Sequence, residues 1–143
     1  MTAVRKSVNV PLTPQEAFDL FTTGIDGWWP KERHSLSARE GRPAQRMQID
    51  LRKGGELTET NANGENTRLG TMVRFEAGKS LTILWEMDRD GGEVTVAFTP
   101  SDTGTTVELT HQKIQVVSAI YHGPIWQATL GCFLSKAALR IPV

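Results

Sequence analysis

The hydrophobic pattern of this chain changes period late in the sequence. From Gln45 to His111, apolar residues recur at every second position in short runs separated by turn residues; from Trp126 onward they recur at helical spacing. Period two means pleated strands with one buried face, and a period near 3.6 means an amphipathic helix. A chain with many such strands and one long terminal helix must bury the helix stripe against the sheet.

The strands read in order. Met47, Ile49 and Leu51 alternate with Gln48, Asp50 and Arg52, and Gly54-Gly55 permits a tight turn. Leu57 and Glu59 share a face, and Asn61 to Asn66 is a turn cluster around Gly64. Over 68–76, Thr71, Val73 and Phe75 lie on one face, with Met72, Arg74 and Glu76 on the other. After the turn Ala77-Gly78-Lys79, residues Leu81, Ile83, Trp85 and Met87 share a face. Asp90-Gly91-Gly92 is a hairpin signal. Val94, Val96 and Phe98 form the next run; Pro100 to Gly104 turns, and Val107, Leu109 and His111 form the last. Spacing of this kind makes an antiparallel meander.

The ends of the chain complete the layout. Residues 3–10 alternate with β-branched residues and read as a further strand, with Lys6 near an end or edge. Thr13-Pro14-Gln15-Glu16 is a helix start with a cap, a first-turn proline and a capping box. Its apolar face is Ala17, Phe18 and Phe21, and Gly24 marks its end. Trp28-Trp29-Pro30 sits in a short turn, and residues 31–45 read as an irregular, mobile excursion. In the tail, Trp126, Leu130, Phe133, Leu134 and Ala137 form one helical stripe. Pro124 belongs in the first turn of that helix, because an interior proline loses a hydrogen bond and clashes; the helix then runs from about residue 119 or 123 to about 139. The expected fold is α+β, a helix-grip: a curved antiparallel sheet of about seven strands, two short helices and a long C-terminal helix around an internal cavity. A chain of 143 residues suits one domain, spanning residues 1–143.

Composition excludes several classes. Sixteen Lys and Arg balance sixteen Asp and Glu, and no basic run exceeds two, so nothing points to nucleic acid or an anionic membrane. No apolar run approaches the roughly 20 residues of a membrane span, and no apolar segment of a signal peptide follows the N-terminus. A cytoplasmic location is the expectation. One cysteine, Cys132, excludes an internal disulfide and reads as a small buried hydrophobe.

The ordered set of motifs resembles a known family. Pro14 to Phe18, Trp28-Trp29-Pro30, Asp50 to Gly55, Gly70 to Val73, Leu81 to Trp85 and Val107 to His111 match in turn the segments of the START-like (SRPBCC, helix-grip) superfamily. Within it, the chain is similar to the branch named for the C-terminal domain of the activator of Hsp90 ATPase. The family has a Gly-Trp pair in the last helix, which here is spaced out as Gly123-Pro-Ile-Trp126. The resemblance implies the helix-grip fold, and the branch name implies a chaperone partner or a stress-response role. Function does not transfer with fold; cyclases and hydrolases also occur on it.

Two polar residues fall in phase with the inner face. His111 follows Val107 and Leu109 and is either a ligand anchor, a general base or a satisfied core histidine. Glu59 follows Leu57 and, near a strand end, reads as solvated. These two are the one pair available for acid–base chemistry, so an enzyme would depend on them, and no catalytic residue is assigned. His34, His111 and His122 are not at metal-ligand spacing, so no metal is expected, and no cofactor is implied. The residues expected to wall a ligand cavity are Trp29, Met47, Ile49, Val73, Phe75, Trp85, Phe98, Leu109, His111, Trp126, Leu130 and Phe133. Capture of a small apolar or aromatic ligand without catalysis, gated by the Trp28 to Pro43 segment, is the expected function. A co-chaperone or other interaction module is the alternative, and an exposed apolar patch would mark it. Nothing in the sequence sets the oligomeric state.

Overall fold

A computed structural model describes residues 2–88 and 91–139. The elements run β1 (Thr2–Val10), α1 (Pro14–Phe21), a single 3-10 turn (Ile25–Gly27), α2 (Leu36–Arg39), β2 (Arg46–Ile49), β3 (Glu56–Thr60), β4 (Asn66–Glu76), β5 (Ser80–Trp85), β6 (Glu93–Ser101), β7 (Gly104–Ile114) and α3 (Val116–Ala138). Seven strands form one sheet in the order β1-β7-β6-β5-β4-β3-β2. Every neighbouring pair is antiparallel. The sheet curls as a half-barrel around α3 with α1 at one end, which is the α+β helix-grip architecture.

Local chemistry explains the entry into α1. Thr13 Oγ1 accepts the Glu16 N–H at 3.2 Å, and Glu16 Oε1 accepts the Thr13 N–H at 2.9 Å. Pro14 occupies a position whose N–H would be unpaired anyway. The helix then presents Ala17, Phe18, Leu20 and Phe21, all buried, to the sheet. Phe18 meets Phe98 edge-on at 5.5 Å, and Phe21 meets Phe133 of α3 at 5.4 Å.

Strand β4 departs from simple alternation at two bulges. Leu57 pairs with Gly70 but Thr58 pairs with Arg68, so Leu69 is an extra residue. Met72 pairs with Ile83 but Arg74 pairs with Thr82, so Val73 is another. A bulge inserts one residue and reverses the facing of the residues beyond it. Met72 is therefore buried in the core while Val73 is only half-buried, which corrects the assignment of Thr71 and Val73 to the face of Phe75. Phase recovers at Phe75, which pairs with Leu81 and stacks near Phe18. Gly70 is required here: a Cβ would lie 2.6 Å from Ile83 Cγ2.

Helix α3 is longer than its stripe suggests. It begins at Val116, after Gln115, and Pro124 lies in its interior rather than in its first turn. The proline costs a hydrogen bond to the Ile120 carbonyl, yet Pro124 and Ile120 both face solvent, where water can serve that group. The extra turns carry exposed Val116, Val117, Ile120 and Tyr121, so they add no buried stripe for a periodicity to register.

The segment 31–45 is not a loose excursion. Ser35 caps α2 by accepting the Ala38 N–H at 3.0 Å, and His34, Ser35 and Ser37 are buried. Asp90, part of the hairpin signal before Gly91-Gly92, lies outside the described residues.

Candidate functional site

The interior between sheet and α3 is built from aromatic rings supplied by three separate parts of the chain. The sheet brings Trp85 from β5 and His111 from β7; α3 brings Trp126; the turn before α2 brings Trp29 and His34. Trp126 is the hub. It lies 5.1 Å from Trp85, 6.0 Å from Trp29, 4.7 Å from His34 and 6.0 Å from His111, ring centre to ring centre. Tilted and edge-to-face pairs at such distances add attraction beyond burial.

Trp29, Ile49, Trp85, Leu109 and Trp126 line a residual void of about 10 Å³, together with Phe21, Ile25, Leu57, Ile83, Val94 and Val96. Its position is the one expected, but its size is that of a single water at most. Met47, Phe98, Leu130 and Phe133 are buried in the surrounding core and do not reach the void, and Phe75 is half-buried beside Phe18. Val73 stands off the inner face at its bulge.

His111 is fully buried and both ring nitrogens are engaged. Trp126 Nε1–H donates to Nδ1 at 3.1 Å, and Nε2 lies 2.8 Å from the Gly91 carbonyl. An indole can only donate. Nδ1 is therefore the acceptor, Nε2 carries the proton, and the imidazole is neutral. Of the three readings, this geometry is that of a satisfied core histidine which orients Trp126.

Glu59 is also buried rather than solvated. Its Oε1 accepts the Leu36 N–H at 2.6 Å; its Oε2 accepts the Ser37 N–H at 2.9 Å and the Ser37 hydroxyl at 2.6 Å. The carboxylate thus clamps the start of α2 onto β3. At the other end of α2, Arg39 Nη2 lies 2.7 Å from Asp88 Oδ1, and Asp88 Oδ2 lies 3.3 Å from His122 Nε2 of α3. Burial opposes the Arg39 charge, but the Asp88 carboxylate more than offsets it and raises the guanidinium above its ordinary range. Two carboxylates therefore strap the 31–45 segment over the interior. Glu59→Gln sets an amide N–H₂ against backbone donors and is expected to cost about 2–3 kcal/mol. Urea unfolding checks this; an unchanged midpoint would mean the clamp is not holding the segment.

His34 and His122 are not readable from sequence as site residues. His34 reads as part of a polar loop, yet it stacks on Trp29 at 4.8 Å and shares a hydrogen bond of 2.9 Å between Nδ1 and Thr129 Oγ1. Burial pushes its pKa from 6.5 down to about 3, with the nearby His122 adding to the effect. The one available signal is Ser35, whose capping position marks α2 and so anchors its neighbours. His122 sits against His111 at 4.6 Å, so the chain's three histidines gather in one interior. Among the described residues, no group of three or more His, Cys, Asp or Glu is placed to hold a metal ion.

One donor in this interior stands apart. Trp28 Nε1–H donates to the Leu20 carbonyl at 2.8 Å, Trp29 Nε1–H to the His34 carbonyl at 2.7 Å, and Trp126 Nε1–H to His111. Trp85 Nε1 is buried and has no acceptor among the described residues.

Comparison with known proteins fixes the family. Residues 11–133 match the model of the activator of Hsp90 ATPase homolog 1-like proteins. The chain belongs to this family. The solution structure of the Aha1 dimer from Colwellia psychrerythraea is 14% identical, with a TM-score of 0.72 and 96% of each chain covered. The AHSA1-like protein from Aeromonas hydrophila is 18% identical, with a TM-score of 0.69 and coverage of 94% of this chain and 90% of that one. Protein SSP2350 from Staphylococcus saprophyticus is 16% identical, with a TM-score of 0.68 and coverage of 93% and 89%. At these identities the likeness concerns the fold. No curated protein matches. Among the described residues of this AHSA1-like chain, no helix is long and apolar enough to cross a membrane.

Proposed function

We propose that this AHSA1-like protein captures a small, largely apolar ligand that carries one hydrogen-bond acceptor, in the interior between the sheet and α3. The observation that carries this reading is the Trp85 Nε1–H, unpaired among the described residues, on a residue that walls the void. A buried donor without an acceptor costs about 1–3 kcal/mol, and the other three indoles all avoid that cost. A water is a poor remedy, because an ordered water needs two to four polar partners and this void is lined almost wholly by apolar groups. A ligand carbonyl or hydroxyl would pair the donor while its apolar body met the rings of Trp29 and Trp126.

In this reading the ligand expands the void of about 10 Å³. Admission requires the strapped 31–45 segment to lift, against the Glu59 clamp and the Arg39–Asp88 pair. An apolar ligand that loses a few hundred Å² of surface at about 25 cal/mol per Å² gains several kcal/mol. After the costs of association that corresponds to roughly micromolar binding. No covalent step is invoked: His111 and Glu59, the pair on which an acid–base reaction would depend, are each committed to hydrogen bonds that hold the fold.

The test is native mass spectrometry and thermal shift with a panel of apolar ketones, phenols and fatty acids. The expected result is a one-to-one complex with a raised melting temperature, weakened about tenfold or more in Trp85→Phe, which keeps an aromatic ring and deletes the donor. A panel that leaves the melting temperature unchanged counts against ligand capture. It would favour the second reading, a protein-interaction module, which is supported by the exposed apolar residues Val116, Val117, Ile120 and Tyr121.

A further inference from the structure

The outer face of α3 has a composition that water alone does not explain. From Ile114 to Ser135 the chain contains no Asp, Glu, Lys or Arg, although such residues make up 22% of the whole. Trp126, Leu130, Phe133 and Ala137 take the buried side. The opposite side, by the 3.6-residue period, is Val117, Ile120, Tyr121, Pro124, Ala128, Gly131, Ser135 and Ala138. Val117 is 73% exposed and Ile120 71%. The other surface helix of comparable regularity, α1, behaves differently: its outer face carries Gln15, Glu16 and Asp19.

Residue size is graded along this face. Its N-terminal half is bulky, with Val117, Ile120 and Tyr121; its C-terminal half is small, with Ala128, Gly131, Ser135 and Ala138, up to the exposed Leu139 at the helix end. Gly131 has no reason within its own chain. It lies inside a helix, where glycine is less stable than alanine, and a Cβ there would meet nothing within 4 Å.

We propose that this face packs against the same face of a second copy, as an antiparallel helix pair on a two-fold axis beside Gln127 and Ala128. A two-fold interface must be complementary to itself, and the gradient supplies that. With the axis at that point, Val117 lies over the partner's Ala138, Ile120 over the partner's Ser135, and Pro124 over the partner's Gly131. Along the centre of the stripe large residues meet small ones; at its edges Tyr121 lies over the partner's Leu134 and Val116 over the partner's Leu139. No charge is desolvated, and Gly131 allows the backbones to approach. A charged partner would find no complement on this face. A helix lying on a membrane keeps basic residues along its polar side, whereas the other side of α3 is the protein core.

The test is sedimentation of the full chain over a range of concentrations. One helix face per subunit is a small interface, so reversible dimers are expected at roughly tens of micromolar. Ile120→Glu, at an exposed position, should leave circular dichroism unchanged and the protein monomeric. Gly131→Leu should likewise abolish dimers, while Gly131→Ala raises the melting temperature of dilute monomer. In a Cys132→Ser background, Ala128→Cys should form an interchain disulfide with diamide as oxidant, and Ser118→Cys, off the stripe, should not. A wild type that stays monomeric at several hundred micromolar overturns the proposal. So does a dimer that survives Ile120→Glu, or binding to lipid vesicles without self-association.

Discussion

Trp126→Ala is expected to destabilise the protein by about 3–5 kcal/mol, the usual range for removal of a large buried aromatic side chain. The residue is 1% exposed and touches the rings of Trp29, His34, Trp85 and His111. Its loss also strands His111 Nδ1, which accepts the indole proton. Phe133→Ala should cost nearly as much, since its ring meets Phe21 and Trp28. Lys136→Ala, on the exposed side of the same helix, should change little. Chemical denaturation of the three variants checks the order. Equal midpoints for Trp126→Ala and Lys136→Ala would show that the buried face of α3 is misassigned.

The second large effect is acid lability. His34 is buried among aromatic rings, and its pKa falls from 6.5 to about 3. Between these values the unfolded chain binds a proton at this residue and the folded chain does not. Stability therefore rises with pH across the window, is fully present above 6.5, and is lost as the pH falls toward 3. One proton corresponds to about 1.4 kcal/mol per pH unit, or roughly 4–5 kcal/mol over the whole window. His34→Gln cannot take the proton, so its stability should depend on pH less steeply by that one-proton slope, whatever its absolute stability. Urea titrations at several pH values between 4 and 7 measure the difference. Parallel curves for wild type and His34→Gln would mean that another group governs the acid response.

The parts of the fold legible in the sequence are those governed by local rules. The capping box at Thr13 and Glu16, the turns at Gly54, Gly64 and Gly78 and the Trp126 to Ala137 stripe each act within a few positions, and each appears in the structure as read; the turn read over Pro100 to Gly104 is shorter, because β6 runs on to Ser101. The errors arise where a distant partner decides. Val73 looks inward by strict alternation, but a bulge against β5 hands its place to Met72. Pro124 looks like a first-turn residue because proline disfavours helix interiors; at a solvent-facing position the freed carbonyl can be served by water. Glu59 looks solvated because nothing near it in sequence offers a donor. Its partners, Leu36 and Ser37, lie more than twenty residues away. His34 is obscured for the same reason, since the Thr129 hydroxyl that receives it is on α3. The candidate site is thus legible as an inward face with aromatic walls. Its closure, its neutral His111 and its unpaired Trp85 donor depend on contacts between distant segments.

The proposed ligand supplies the acceptor that Trp85 Nε1–H lacks among the described residues. The direct measurement is the indole region of a proton–nitrogen correlation spectrum, recorded while an apolar ketone or phenol from the thermal-shift panel is titrated in. The chain has four tryptophans, and Trp85→Phe assigns the resonance in question. A new hydrogen bond should move the Trp85 signal downfield in a saturable way, while those of Trp28 and Trp29, already bonded to carbonyls, move little. Binding that leaves the Trp85 resonance unmoved, or a spectrum unchanged across the panel, would overturn ligand capture at Trp85.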